Sequence, residues 1–231
     1  MDSVSIEAVN KVLGNPLPDA EALIIVEVDG ETDGETDEVV SRDLKIVEEV
    51  AWEQKAKTVT PSFDKDEILR WTNARKAVLS SLSALKPGYS CVSLADDMGV
   101  PVSCVPEAVS RFQAIAKAND VTVAVYGHAS DGNLHSKMLL RVEDEDEWRR
   151  GLKAASEIFE ASIDLGGTVT GEHGVGLSKA KDFQKERASE MSTILVIKQA
   201  FDPQNILNPG KAAQWRGDQM SGLRYPCPGH M

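Results

Sequence analysis

The stretch "VTVAVYGHASDGNLHSKMLLRV", residues 121–142, decides the fold that we expect. Two runs rich in β-branched and apolar residues flank a polar centre, "ASDGN", and this pattern is typical of a β-hairpin. The hairpin predicts that at least part of the sheet is antiparallel. Crossing its turn can bring His128 and His135 to one face, close to the end of the hairpin.

Helical and strand patterns surround the hairpin. Apolar spacing predicts helices over about 3–13, 36–57, 106–120 and 144–164, and "ALIIVEV" (22–28) has the length and β-branching of a buried strand. These patterns predict an α+β domain over 1–211, in which an antiparallel sheet carries helices on one face. We expect 212–231 to be a loosely packed tail. The acidic repeat "DGETDGETDE" (29–38) indicates an exposed loop, with a calcium loop as the less favoured alternative.

The composition restricts the classes of function. The chain has 231 residues, 42% hydrophobic and 27% charged, which is ordinary for a globular protein. Its net charge of −12 argues against nucleic acid as a partner, because phosphates would be repelled. Three widely spaced cysteines without a CxxC motif argue against an iron–sulfur cluster and fit a reducing compartment. We therefore expect a cytoplasmic protein, or one held at a membrane through a partner.

The two hairpin histidines are candidate metal ligands. A zinc-type ion binds two or three imidazole nitrogens together with a carboxylate oxygen. That oxygen could come from Asp131 in the turn or from Glu172 in "TGEHGVG" (170–176), although a turn containing "DGN" also has a purely conformational explanation. Glu172 and His173 are costly to bury unpaired, so packing explains them poorly. Neighbours in an extended chain point opposite ways, which predicts that one ligates a metal while the other faces a substrate.

Three motifs in order resemble a known family. "GHASDGNLH" (127–135), "TGEHGVG" and "FDPQNILNPGK" (201–211) resemble the C-terminal half of FAD-linked 2-hydroxyacid dehydrogenases. The group is the glycolate oxidase large subunit and D-lactate dehydrogenase branch of the vanillyl-alcohol-oxidase flavoprotein superfamily. The resemblance implies two ferredoxin-like subdomains and a separate N-terminal FAD-binding domain, which we expect to be absent from this chain. We therefore expect that the chain by itself does not hold FAD tightly.

The resemblance also implies roles for individual residues. A divalent metal, zinc in many relatives, would be held by His128, His135 and Glu172, and His173 would be the general base. The remaining positions are the substrate-binding residues Arg75 and Lys137 and the cofactor-binding residues Asn133 and Asn208. The substrate would be a 2-hydroxy acid of the D-lactate or glycolate type, oxidised to the 2-oxo acid by hydride transfer to FAD. A separate electron acceptor protein is a further expected partner.

Some residues depart from the family pattern, and two other functions stay open. Ser130 replaces a usual glycine, Lys137 replaces a usual asparagine, and Trp71 lies one position from the usual tryptophan, where Thr72 stands. One alternative is a metal-dependent hydrolase in which the same three ligands activate a water. The other is a non-catalytic module that binds a partner flavoprotein or a small acid.

Overall fold

The computed structural model describes residues 1–14, 16–29 and 36–217. Within these ranges the chain forms eight α-helices and four β-strands, besides short 3-10 turns at Val102–Cys104 and Ala212–Gln214. The helices are α1 (Ser3–Leu13), α2 (Thr36–Glu53), α3 (Lys65–Lys76), α4 (Val78–Leu85), α5 (Val105–Ala118), α6 (Glu145–Asp164), α7 (Ala180–Glu186) and α8 (Met191–Phe201). The strands are β1 (Ser90–Val92), β2 (Met98–Gly99), β3 (Thr122–His128) and β4 (Asn133–Leu140). No helix in the described ranges is long and apolar enough to cross a membrane.

The predicted hairpin is the centre of the sheet. β3 and β4 pair antiparallel, from Thr122 opposite Leu139 to His128 opposite Asn133, and β1 and β2 both pair antiparallel with the other edge of β4. The turn needs glycine at Gly132, whose φ is 79° and where a Cβ atom would lie 1.9 Å from the Val100 carbonyl oxygen. The antiparallel sheet and the α+β class are confirmed.

Helices cover both faces of this sheet, rather than the single face that we expected. On one face, side chains of β3 and β4 such as Val123 and Met138 pack into a core with Phe112 of α5 and Phe159 of α6. On the other face, Ala124 and Leu139 pack into a second core. That core is completed by side chains of α1, α3 and α4, among them Ile6, Val9, Ala74, Val78 and Leu82. The difference arises because β3 and β4 carry apolar side chains on both faces at the end away from the turn.

The second core stops partway along the hairpin. Alternation along the strands puts Tyr126, His128, His135 and Lys137 on the same face as Ala124 and Leu139, but nearer the turn. This end of the face carries polar and aromatic side chains where the other end carries apolar ones. The candidate site therefore lies on the sheet, next to the core that α1 and α4 build.

The expected strand at 22–28 is wrong. Only Ala22 pairs, through a single bridge with Asp2, and the Ile24 side chain is 73% exposed. An apolar run shows that a segment prefers to be covered, but it does not show what covers it. The described residues contain one four-stranded sheet, so the two ferredoxin-like subdomains do not each have a sheet of their own there.

Two sequence predictions fall mainly where the structure is not described. The acidic repeat lies largely within residues 30–35, and most of the expected tail, 218–231, lies beyond the described residues. The first residues of that tail are held in place, because the Gln184 amide donates to the carbonyl oxygens of Ala212, Ala213 and Trp215.

The core under the sheet gives a stability prediction. Phe112→Ala removes a fully buried ring and should lower the free energy of unfolding by about 3–5 kcal/mol, since it leaves a cavity between α5 and the sheet. The matched control is Phe63→Ala, whose ring is 62% exposed and which should change stability by less than about 0.5 kcal/mol. Urea unfolding of both variants measures the difference. Equal losses would contradict the assignment of Phe112 to the core.

Candidate functional site

Three imidazoles surround one carboxylate oxygen at the turn end of the hairpin. Glu172 Oε1 lies 3.3 Å from His135 Nε2, 3.7 Å from His173 Nε2 and 3.9 Å from His128 Nε2. The structure thus brings together the four residues that sequence reasoning selected as ligands and base.

The strand register explains how the first two imidazoles meet. Tyr126 faces His135 across the hairpin, and His128 faces Asn133, so the two histidines are diagonal neighbours with ring centroids 5.9 Å apart. The His135 side chain is almost buried, whereas His128 and Glu172 are about half exposed. Burial, assisted by the negative charge of Asp96, raises the pKa of Tyr126, so its phenol stays neutral beside the histidines.

The loop that carries Glu172 and His173 is curled, not extended. The backbone N–H groups of Gly171, Glu172 and His173 all donate to the carboxylate of Asp97, at 3.2, 2.8 and 3.0 Å. Because successive amides point at one acceptor, the two side chains converge on the same region. The expectation that they point opposite ways is therefore wrong, since it assumed an extended backbone.

Asp97 is a buried acid that accepts hydrogen bonds from many partners. Besides the three amides, it accepts hydrogen bonds from Lys179 Nζ at 2.7 Å and from Asn133 Nδ2 at 3.0 Å. Burial acts to raise the pKa of Asp97, but the hydrogen bonds from Lys179, the loop amides and Asn133 act the other way and hold it well below its usual range. The carboxylate is therefore ionised and compensated inside the fold.

A second acid, Asp96, contacts His135 from behind. Its Oδ1 lies 3.3 Å from His135 Nδ1, a close polar contact whose angles fall outside those of a regular hydrogen bond. Its Oδ2 accepts a hydrogen bond from Lys137 Nζ, which also donates to Ser93 Oγ at 2.7 Å. Burial acts to raise the pKa of Asp96, but His135 and Lys137 outweigh it and lower that pKa. Lys137, predicted to bind substrate, is thus at the site with its charge already paired.

Two further hairpin residues serve the local structure. Asp131 Oδ1 accepts a hydrogen bond from the backbone N–H of Asn133 at 2.9 Å, so it stabilises the turn and Glu172 supplies the oxygen near the histidines. Asn133, predicted to contact the cofactor, donates to Asp97, and its buried Oδ1 has no partner among the described residues.

Arg75 and Asn208 are not brought to the histidines by any contact among the described residues. Arg75 lies exposed near the end of α3, and Asn208 follows α8, where it accepts a hydrogen bond from Lys211 Nζ at 2.9 Å. Their predicted roles in binding substrate and flavin remain predictions.

One group of four residues has the geometry for a shared ion. Among the described residues, Asp97, His135, Glu172 and His173 can each offer a ligand atom within 4.8 Å of the others. This group includes the predicted base, His173, and leaves out the predicted ligand His128. The distances alone therefore do not show which of these residues would bind the metal and which would act as the base.

Sequence reasoning missed Asp96, Asp97 and Lys179. The signal for the acids was "LADDMG" (94–99), two adjacent carboxylates inside an otherwise apolar stretch. Two acids at such a position need buried partners, because an unpaired buried charge is costly. The partners come from β4 and from the segment around 171–179, which are remote in sequence, so the sequence did not identify them.

Comparison with known proteins identifies the family to which the chain belongs. Residues 1–212 match the family described as FAD linked oxidases, C-terminal domain. The chain belongs to this family. The glycolate oxidase subunit GlcD of Bacillus subtilis is 38% identical over 193 residues, which cover 83% of this chain and 39% of that protein. GlcD of Escherichia coli K12 is 30% identical over 91% of this chain and 41% of its own length.

Other relatives and a solved structure extend the comparison. A mitochondrial D-lactate dehydrogenase [cytochrome] of Arabidopsis thaliana is 28% identical over 91% of this chain and 36% of its own length. The 4-ethylphenol oxidase of Gulosibacter chungangensis shares the fold, with a TM-score of 0.52 and 15% identity over 78% of this chain and 38% of that one. This chain therefore spans about two fifths of the length of the curated relatives that it matches.

The Lys137–Asp96 pair gives a second stability prediction. Lys137→Met leaves the Asp96 carboxylate without its cation in a nearly buried position and should cost about 3 kcal/mol of unfolding free energy. The control is Lys153→Met, which breaks a more exposed pair with Glu157 and should cost less than about 1 kcal/mol. Chemical denaturation checks both values. In Asp96→Asn protein, the added Lys137→Met change should cost less than it does alone, and full additivity would contradict the pairing.

Proposed function

We propose that this chain is the substrate- and metal-binding half of an FAD-dependent oxidoreductase that converts a 2-hydroxy acid, of the glycolate or D-lactate type, to the 2-oxo acid. The observation that carries the proposal is the placement of three imidazoles within 3.9 Å of one glutamate oxygen. The family membership and the printed names of the relatives support the choice of chemistry.

The donors fit a divalent metal ion, for which zinc is our first choice. Imidazole nitrogens combined with one carboxylate oxygen are the donor set that zinc prefers. We assign His128, His135 and Glu172 as ligands, with Asp96 behind His135 as the acid that orients its ring, an arrangement common for metal-binding histidines. When bound, a divalent ion supplies Lewis acidity toward a substrate hydroxyl, and FAD supplies the two-electron acceptor.

His173 is the residue that we assign as general base. Its side chain is 61% exposed, so a substrate can approach it, and its Nε2 lies 3.7 Å from Glu172 Oε1. Imidazole suits this role because it exchanges protons near neutral pH. In the proposed reaction, His173 Nε2 would take the proton of the substrate hydroxyl, and the C2 hydrogen would leave as a hydride to the flavin with both electrons of the C2–H bond. C2 and the hydroxyl oxygen would then form the carbonyl group of the 2-oxo acid.

The substrate carboxylate needs a cation, and the chain offers two candidates. Lys137 is two residues from His135 on the same face of β4, but its ammonium already contacts Asp96 and Ser93. Arg75 has the planar, bidentate geometry that suits a carboxylate, and it is exposed on α3. We retain both as substrate-binding residues, since Arg75 can bind without breaking an existing pair and Lys137 lies beside the histidines.

The rest of the active site is proposed to come from an FAD-binding domain or subunit. The chain spans only about 39% and 41% of two glycolate oxidase relatives, which leaves room for such a portion. α8 and the segment after it carry several exposed large apolar side chains: Leu195, Val196, Ile197, Phe201, Ile206 and Leu207. Exposed apolar side chains in such number are typical of contact surfaces, and we assign this part of the chain to contact with the FAD-binding portion.

Flavin contacts from this chain are proposed at Asn133 and Asn208. The Nδ2 of Asn133 is already used by Asp97, so its unpartnered Oδ1 is the atom that remains for a ligand. A separate protein would accept the electrons from the flavin.

Activity tests the general base. The flavoprotein containing this chain, as one polypeptide or as a complex with its FAD-binding subunit, is assayed with glycolate and D-lactate and an artificial acceptor. His173→Gln should lower kcat by about 10²- to 10⁴-fold, because a general base is lost, with flavin content unchanged. The control Glu160→Gln changes an exposed residue of α6 and should keep full activity.

The same assay separates the alternatives. Full activity of His173→Gln would remove His173 as the base. Wild-type protein that oxidises no 2-hydroxy acid but hydrolyses an ester when zinc is added would favour the hydrolase. Zinc binding without either reaction would favour a non-catalytic module.

Metal affinity tests the ligand set in the chain alone. Zinc is titrated in competition with a chromophoric chelator. Glu172→Gln should weaken zinc binding by more than about tenfold, since even outer-shell partners are worth 10- to 100-fold. Asp131→Asn is the matched control, because Asp131 is the other acid near the histidines in sequence and is used by the turn. Equal weakening in both variants, or none in either, would contradict the assignment.

A further inference from the structure

We propose that Asp97 is a positioning residue that holds the Glu172–His173 loop in its active shape, and not a metal ligand. The effect of Asp97 on metal binding rests on the proposed function. Its positioning of the loop rests only on the contacts of the described residues. Asp97 is fully buried, lies directly before β2, and adopts a left-handed backbone conformation with φ of 68°. A non-glycine residue in this conformation is strained, so the surrounding contacts must hold it there.

The two carboxylate oxygens of Asp97 are both occupied. Oδ1 accepts from the amide of Glu172 and from the side chain of Asn133, at 2.8 and 3.0 Å. Oδ2 accepts from Lys179 Nζ at 2.7 Å, from the amides of His173 and Gly171 at 3.0 and 3.2 Å, and from Thr170 Oγ1 at 3.3 Å. An ionised carboxylate has about four lone-pair sites, so these six donors leave none for an ion. The four-residue group with ligand geometry therefore divides into one scaffold residue, Asp97, and three residues whose ligand atoms are not used by the scaffold, namely His135, Glu172 and His173.

The close contact between the loop and Asp97 also requires glycine at position 171. At Gly171 a Cβ atom would lie 1.9 Å from Asn133 Nδ2 and 3.0 Å from Asp97 Oδ1, so only glycine lets the backbone come this close. The backbone oxygen of Asp97 also accepts from the Gly171 amide, at 2.8 Å. The loop is thus fastened to one residue through its side chain and its main chain, and this curl directs Glu172 and His173 toward His135.

Lys179 is the cation that compensates the buried charge of Asp97. Its side chain is buried, and its ammonium donates to both the carboxylate and the backbone oxygen of Asp97. Asp97 and Lys179 therefore neutralise each other under the loop, and Asp96 is paired with Lys137, so the uncompensated negative charge beside the histidines comes from Glu172. A metal held above them would be attracted by Glu172, whose side chain is free of the scaffold.

Hydrogen exchange of the wild-type chain, without metal or substrate, tests the contact directly. The amides of Gly171, Glu172 and His173 should exchange at least about tenfold more slowly than those of Gly174 and Gly176, for which no hydrogen bond is found among the described residues. Equally fast exchange at all five amides would overturn the proposal, whether or not the chain binds metal.

The variant Asp97→Asn tests the consequence. It should remove the slow exchange at these three amides and weaken zinc binding by about 10- to 100-fold, with an altered absorption spectrum when cobalt replaces zinc. The control Asp182→Asn changes a buried acid of α7 and should alter neither the exchange nor the zinc affinity. Loss of zinc binding with the loop amides still protected would show that Asp97 is a ligand and would overturn the proposal.

If Asp97→Asn does not fold, Lys179→Met replaces it, since it keeps the carboxylate but removes its cation. Faster loop exchange in Lys179→Met supports the proposal, and unchanged exchange contradicts the assigned role of the pair. Slow exchange in a chain that binds no zinc would reject the metal site while leaving the positioning role of Asp97 intact.

Discussion

The alternation of side chains along β4 is the constraint on which the rest of this structure depends. Every residue of β4 is buried, and the strand is paired on both edges, so each of its side chains must find partners on one of two faces. The even positions from Leu134 to Leu140 lie toward α5 and α6, and Ser136 among them donates to a carbonyl oxygen. The odd positions carry Asn133, His135 and Lys137 before Leu139 returns to core. A shift of one residue would exchange core and site, so the same pairing that stabilises the sheet also places the imidazole.

The polar side chains on this half of the sheet face can be buried because two adjacent acids, Asp96 and Asp97, lie beneath them. Asp96 compensates Lys137 and contacts His135, and Asp97 compensates Lys179 and gathers the loop amides. Buried charges of this kind are stable only with partners and hydrogen bonds, and each acid has both. The outcome is a rigid base for residues that remain partly exposed, namely His128, Glu172 and His173. A binding or catalytic site requires side chains that are held in place by the residues beneath them and that a ligand can reach from above.

Pattern reasoning predicted the parts of this protein whose determinants are local. The hairpin, the long helix ending at Asp164 and the first helix follow from spacing within one segment, and each is found close to its predicted bounds. The family motifs also pointed to the histidines and Glu172 that the structure brings together. Predictions that depended on what another segment does were less successful. The run at 22–28 is exposed, helices cover both faces, and Glu172 and His173 converge because a distant acid curls their loop.

By itself, the sequence determined the α+β class, the hairpin and the identity of the chemically active side chains, because these depend on residue type and on spacing along one segment. Only the tertiary structure decided which acid meets which cation, that Asp131 belongs to the turn while Glu172 meets the imidazoles, and that Lys137 is already paired. The physical reason is that a buried charge is satisfied by whichever partner the fold brings within about 3 Å, and such partners are separated by tens of residues along the chain.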